Sequence, residues 1–193
     1  DEDLLPDNTA PSSLNIGFVG VGGGGNKMAN AFIELGFNKA LLVNTTGKDI
    51  PKNVAEDHVV LIPDSDGIGK NTEYGKEILS QNGAVVEDAL RIKLGKVDWL
   101  IVMAGGGGGT GSSVTALHPV FERYMKSVQA GGKVLYVVTW PTAQENLNPT
   151  IARNALTLIN DVSAHPHVVL DNERSTRLLR GRIGLLGMYP VAN

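Results

Sequence analysis

Two runs of glycine dominate the chemistry open to this sequence. The first reads Gly20-Val21-Gly22-Gly23-Gly24-Gly25-Asn26; the second is Gly105 to Gly109 followed by Thr110-Gly111-Ser112-Ser113. Residues without side chains let backbone N–H groups approach an anion closely. A helix that starts there turns its positive end toward the same point. Four successive glycines cost conformational entropy at every position, so a tight turn alone accounts for them poorly. Thr110 adds a hydroxyl, which can donate to a phosphate oxygen or serve as a helix N-cap. Two such loops in one chain imply a polyphosphate held between two helix N-termini.

Each loop needs a strand before it and a helix after it, and the apolar pattern supplies both. Leu14 to Val21 reads as a buried strand ending in the first glycine run, and Lys27 to Leu35 as the following helix, stopped by Gly36. Ala40 to Asn44 and Val59 to Ile62 read as strands joined by a polar connection, Thr45 to Asp57, without a clear period. Thr72 to Leu94 has helical spacing interrupted near Gly83. Trp99 to Ala104 is an apolar strand feeding the second run, and Ser112 to Gln129 a helix closed by Gly131 and Gly132. Val134 to Trp140 is a further strand, Asn148 to Ala164 a helix, and Val168 to Leu170 a last short strand before a helical stretch from Glu173. Strands that are apolar throughout and alternate with helices predict an α/β fold: a doubly wound, mostly parallel sheet with helices on both faces. Such folds bind ligands at the carboxyl ends of their strands. With no solenoid repeat and no Pro/Gly/Ser linker, one domain is expected over residues 13–193, after an acidic tail of residues 1–12 expected to be disordered.

Composition narrows the classes. Of 193 residues, 42% are hydrophobic and 19% charged, enough for one domain with a sizeable core. Eleven of the 24 glycines fall in the two runs, which excludes a collagen-like or generic flexible use. A net charge of −3 argues against sequence-independent binding to nucleic acid. No apolar run reaches the roughly 18–20 residues of a membrane span. The acidic segment Asp1 to Ser12 is unlike a secretory leader, and the absence of cysteine excludes disulfides and thiolate chemistry. A cytoplasmic protein without membrane or direct nucleic-acid contacts is expected.

Several ligand classes then separate. Gly20, Gly22 and Gly25 formally satisfy G-x-G-x-x-G, but that dinucleotide fingerprint also wants an acid at the end of the second strand for the ribose. The strand ends Val43-Asn44-Thr45-Thr46, with no acid. An NAD-dependent oxidoreductase would also leave the second glycine run unexplained, and stays a remote alternative. A Walker loop, G-x-x-x-x-G-K-[ST], does not occur. His58, His118, His165 and His167 have no metal-ligand spacing with acids, and no metal ligands are assigned. His165-Pro166-His167 reads as a turn leading into a strand. Asp64-Ser65-Asp66-Gly67 lacks the later Glu of a calcium loop, and no G-x-S-x-G elbow is present.

The sequence resembles the tubulin/FtsZ superfamily of GTP-binding, filament-forming proteins. Gly107-Gly108-Gly109-Thr110-Gly111-Ser112 matches six of the seven positions of the signature [SAG]-G-G-T-G-[SA]-G; the seventh, normally Gly, is Ser113. The first run is similar to the first FtsZ loop, one glycine shorter, and Val43-Asn44-Thr45 to the V-N-T of the second nucleotide loop. Gly67-Ile68-Gly69-Lys70-Asn71-Thr72-Glu73-Tyr74-Gly75 resembles the γ-phosphate-sensing segment. Val138-Thr139 with Pro141 and Glu145 resembles the V-T-x-P…E of the ribose loop, and Asn172-Glu173-Arg174 the N-D-R beside the base. All six occur in family order.

The resemblance implies GTP or GDP as ligand and self-association head-to-tail into filaments, with hydrolysis needing an acidic loop of the neighbouring subunit. It implies phosphate contacts from Gly22, Gly23, Gly24, Gly25 and Asn26 and from Gly107, Gly108, Gly109, Thr110 and Gly111. Asn44 stands in the second loop, Gly67, Gly69 and Lys70 face the γ-phosphate, and Pro141 and Glu145 face the ribose. Asn172 and Tyr189 hold guanine, and Asn193 stands at or next to the residue that reads its edge. The chain would then be the nucleotide-binding half of a longer protein, ending inside the family's central helix without the hydrolytic loop. Little or no turnover by these residues alone is the corollary.

The departures are specific. Thr45-Thr46-Gly47-Lys48 replaces T-D-A-Q, so the acid associated with the metal is missing and Asp49 is displaced by three places. Mg²⁺ stays compatible, because it is held largely by phosphates and water. The arginine expected four residues after Glu145 is Pro149. Arg153, one turn later, is the candidate replacement as phosphate-facing cation; a solvated helix position is the alternative. Lys70 replaces a glycine where a cation suits a phosphate. This divergence suggests a phage, plasmid or otherwise specialised member. The missing acid also motivates a second reading, a non-catalytic nucleotide-dependent regulator or filament cap of the same fold.

Overall fold

The computed structural model describes residues 15–62, 68–128 and 131–174. Six strands, β1 (Ile16–Val21), β2 (Ala40–Asn44), β3 (Val59–Leu61), β4 (Trp99–Gly105), β5 (Lys133–Trp140) and β6 (His167–Asp171), form one sheet in the order β3-β2-β1-β4-β5-β6. Every neighbouring pair is parallel. Parallel pairing requires a crossover between successive strands, and helices α1 (Gly22–Glu34), α2 (Thr72–Gln81), α3 (Gly83–Leu94), α4 (His118–Val128) and α5 (Pro149–Val162) provide four of the five crossovers. Only the β2–β3 connection, with its 3₁₀ turns Gly47–Asp49 and Glu56–His58, has none.

Side-chain alternation along each strand divides the apolar residues between two faces. Val19, Val21, Leu41, Val43, Leu100, Val102, Ala104, Tyr136 and Val138 join the larger core with α2 to α5, through Leu79, Leu90, Phe121, Tyr124 and Leu158 among others. Phe18, Ala40, Leu42 and Met103 join Met28 and Ala29 of α1 on the opposite face. Helices therefore cover both faces, as the apolar strands predict. Because the central strands are buried on both sides, their positions are rigid, and what hangs from their ends is well placed. Among the described residues, no helix is long and apolar enough to cross a membrane.

Three element boundaries differ from the sequence reading. The glycines are not a loop before α1 but its first turn, which starts at Gly22 directly after β1. The predicted helix over Ser112 to Gln129 is 3₁₀ from Gly111 to Leu117 and α-helical only from His118. The interruption near Gly83 falls at Asn82, the C-cap of α2, whose side chain donates to Ile78 O, and Gly83 opens α3.

The His165-Pro166-His167 segment leads into β6 as expected, and its first histidine does more than turn the chain. The rings of His118 and His165 stack at 3.7 Å, and His118 Nδ1 lies 2.7 Å from the hydroxyl of buried Tyr136. Burial, then the neighbouring His165, hold His118 below the usual imidazole value, against the opposing pull of Glu122. The folded state thus favours the neutral ring, while the unfolded chain takes up the proton near pH 6.5. The contribution of this group is full above that pH and is lost as pH falls. We expect the melting temperature to drop between pH 7 and 5.5, and His118→Gln to flatten that segment of the pH profile in thermal denaturation.

Candidate functional site

The register of β1 against β4 sets Val21 opposite Ala104, so both glycine runs leave the sheet side by side. β1 lies between β2 and β4, where the winding of the sheet reverses, and this is the switch point at which doubly wound sheets open a crevice. The two runs touch backbone to backbone. Gly22 adopts φ +76°, and a Cβ there would stand 2.7 Å from Gly111 N. On Gly25 it would meet Met103 O at 2.2 Å, and on Gly111 it would meet Gly105 O at 2.6 Å. Gly22 is required by the contact between the two runs, Gly25 by the packing of the first run on β4, and Gly111 by the folding of the second run on itself. Others are not: a Cβ on Gly108 would meet nothing within 4 Å, on Gly23 its nearest neighbour would be Asp49 at 3.3 Å, and on Gly107 it would meet only Ile151. These three border the cleft, and their missing side chains leave it open.

The cleft has two lobes that share Gly23, Gly108 and Gly111. One lobe continues past Gly24, Lys70, Gly105, Gly106 and Gly107 to Thr139, Pro141, Glu145, Ile151 and Asn172. The other runs by Gly22, Gly69, Gly109 and Thr110 to Asn44, Thr45, Thr46, Lys48 and Asp49. Most of the residues singled out from sequence are thereby brought together across five strand ends. Lys48 and Lys70 set positive charge in the two lobes beside the start of α1, a favourable setting for an anion. Asn44 is 1% exposed, accepts from Thr45 N with Oδ1, and leaves Nδ2 without a partner in the structure. A buried donor of this kind fits a ligand acceptor.

The remaining candidates have other placements. Asn26 is fully enclosed; its Nδ2 donates to Val43 O at 3.3 Å, tying α1 to β2 rather than lining the cleft. Gly25 is likewise packed under the loop. The Thr110 hydroxyl does not cap a helix: it bonds Thr45 Oγ1 at 2.9 Å and ties the second run to the end of β2. Glu145 stands at the rim, where Oε2 accepts from Thr142 N at 2.8 Å and shapes that turn. Arg153 does not line the cleft but a separate groove with Asn71, Glu73, Thr150 and Thr157, joined to it through Lys70. Pro149, in place of the expected arginine, is the first residue of α5, where its missing N–H is no loss, and Asn148 caps the helix by accepting from Thr150 N. Gly67, Tyr189 and Asn193 lie outside the described residues.

The model of the Tubulin/FtsZ family, GTPase domain, matches residues 15–179. The chain belongs to this family. It is 28% identical over 172 residues to the cell division protein FtsZ of Mycoplasmopsis pulmonis, covering 86% of this chain and 42% of that protein. Among solved structures it is similar to CetZ from Methanosaeta thermophila, with TM-score 0.73, 24% identity, and 88% of this chain and 50% of that one covered. It is also similar to CetZ2 from Haloferax volcanii, solved as a protofilament with GTPγS bound, with TM-score 0.68, 24% identity, and coverage of 83% and 50%. The chain thus spans about half the length of the relatives it matches.

Two features of this Tubulin/FtsZ domain escaped the sequence reading. Ile151 lines the cleft because α5 begins there, a matter of tertiary placement without a local pattern. Thr139, part of the ribose motif but not named as a site residue, joins it from the end of β5. Asp49, three positions late in sequence, returns to the first glycine run through the 3₁₀ turn Gly47–Asp49, so that a methyl on Gly23 would be 3.3 Å from its Cβ. Among the described residues, no group of three or more His, Asp or Glu side chains is placed to hold a metal ion.

The two kinds of glycine separate by mutation. Helix propensity favours Gly25→Ala by about 1 kcal/mol, but the contact with Met103 O forces backbone to move at a cost of about 3 kcal/mol or more. We expect Gly25→Ala to lower the melting temperature by on the order of 5–10 °C. Gly108→Ala has room, so it should leave the melting temperature within about 2 °C while weakening nucleoside triphosphate binding about tenfold in the same preparation.

Proposed function

We propose that this domain binds GTP and GDP in the two-lobed cleft and that the longer protein of which it forms part polymerises head-to-tail as a GTPase. The observation that carries the reading is the backbone contact of the two glycine runs at the sheet's switch point, with Gly23 and Gly108 left open toward the cleft. Membership of the Tubulin/FtsZ family supports the guanine nucleotide, and the protofilament form of a structural neighbour supports self-association.

In this reading the N–H groups of Gly22 to Gly24 and Gly107 to Gly111 hold the phosphates in a dense array of donors, with Gly25 and Asn26 supporting them from below. Lys70 places its ammonium toward the terminal phosphate, a charge-assisted contact. Asn44 offers its unpartnered Nδ2 to the ligand. Pro141 and Glu145 border the ribose, and Asn172 approaches the base. Mg²⁺ would neutralise phosphate charge and is held mainly by the nucleotide and water, with Asp49 as the carboxylate beside the first run. The return of Asp49 to that position favours a metal-using GTPase over the non-catalytic regulator. Hydrolysis draws on an acidic loop of the neighbouring subunit. Contacts of this head-to-tail kind do not close, so they generate open filaments.

Calorimetric titration with GTP, ATP and NAD tests the ligand: GTP is expected to bind tightest, and NAD binding as tight or tighter would overturn the reading. On the full-length protein, turnover per subunit is expected to rise cooperatively with concentration. Flat, near-zero turnover beside tight binding would instead identify the regulator.

A further inference from the structure

A buried polar network centred on a residue outside the motifs links the segment that carries Lys70 to the second glycine run. Its centre is Asn154 on α5, 3% exposed. Asn154 Nδ2 donates to Lys70 O at 2.9 Å and to Gly107 O at 3.3 Å, while Oδ1 accepts from Thr72 Oγ1 at 2.9 Å. Thr72 Oγ1 in turn lies 2.6 Å from Ser112 Oγ. Ser113, which stands where the family signature has glycine, lies with its hydroxyl 2.9 Å from Thr72 O and also against Gly109 O. Gly75 makes room for it, since a Cβ there would be 2.2 Å from Ser113 Oγ.

The consequence is geometric. Gly69 has φ +62° with nothing within 4 Å of where a Cβ would stand, while its carbonyl and the Ile68 side chain lie against Gly109. Asn154 fixes Lys70 by its carbonyl from the side of α5, and it fixes Gly107 with the same amide group. Both donors and the acceptor of the side chain are engaged, and leaving buried groups unpaired is costly. Asn154 thereby joins the contact of Gly69 and Ile68 with Gly109 in tying the Lys70 backbone to the second glycine run.

We propose that Asn154, braced by Thr72 and Ser112, is a positioning residue for the terminal phosphate. It holds Lys70 over the second glycine run and so sets the preference for nucleoside triphosphate over diphosphate. The proposal rests on the guanine-nucleotide reading above. It predicts a selective defect, because a diphosphate ends short of Lys70.

The test is titration of the full-length protein with GTPγS and with GDP, for wild type, Asn154→Ala, Thr72→Val and Thr72→Ser. Asn154→Ala and Thr72→Val are expected to lose about tenfold in GTPγS affinity, the size of one hydrogen bond to a charged group, with GDP affinity within about twofold of wild type. Thr72→Ser keeps the hydroxyl and should restore GTPγS binding. Equal losses for both nucleotides, or no loss for either, would overturn the positioning role, since a merely structural defect weakens both alike. Wild type binding neither nucleotide would overturn the guanine-nucleotide reading itself, and this proposal with it. If Asn154→Ala fails to fold, the Thr72 pair decides, because Val and Thr are nearly equal in volume and only the hydroxyl differs.

Discussion

The structure depends on one constraint: two glycine runs must pass each other at backbone distance. Their separation leaves no space for a methyl group at Gly22, which faces Gly111 N, and sets Gly24 against Gly105. That closeness follows from the sheet. β1 and β4 are adjacent and in register, and both are buried on their two faces, so neither can shift to relieve a clash. Close packing makes such a contact an all-or-none feature. The cleft is what remains above it.

Much of this was legible in the residues. Strands that are apolar throughout point to a sheet covered on both faces, which holds for the central strands though not for Val168 and Val169 of β6. On that ground β2 and β4 were placed to within a residue. The position of the cleft followed from glycine, whose conformational and steric freedom is wasted anywhere else. Where the reading fell short, the cause was a competing physical effect. Glycine is a poor helix former, which hid the start of α1 inside the run; the turn forms because packing against β4 outweighs propensity. The 3₁₀ segment after Thr110 has the same spacing of apolar residues as an α-helix over so short a span.

Two side chains show the limits more sharply. Asn154 is a single polar residue on the inward face of an amphipathic helix, and nothing in its neighbours marks it. Its meaning comes from Lys70, Thr72 and Gly107, which are 47 to 84 positions distant. Asp49 was counted as misplaced because position along the chain was compared with a family pattern. A short helical turn compresses the chain, and the carboxylate regains the neighbourhood of the first run. Distance in sequence was the wrong measure in both cases.

The spacing of the two runs has a bearing on how the domain is made. Gly25 and Gly105 stand 80 positions apart, with three strands and three helices between them or attached to them. Non-local pairings of this kind pay their loop-closure entropy before any contact rewards it. During synthesis the first run exists long before its counterpart has left the ribosome. Any anion that binds between them recognises only a chain whose two halves have already met, and by mass action it stabilises that state alone. Occupancy of the cleft would therefore report that β1 and β4 have paired.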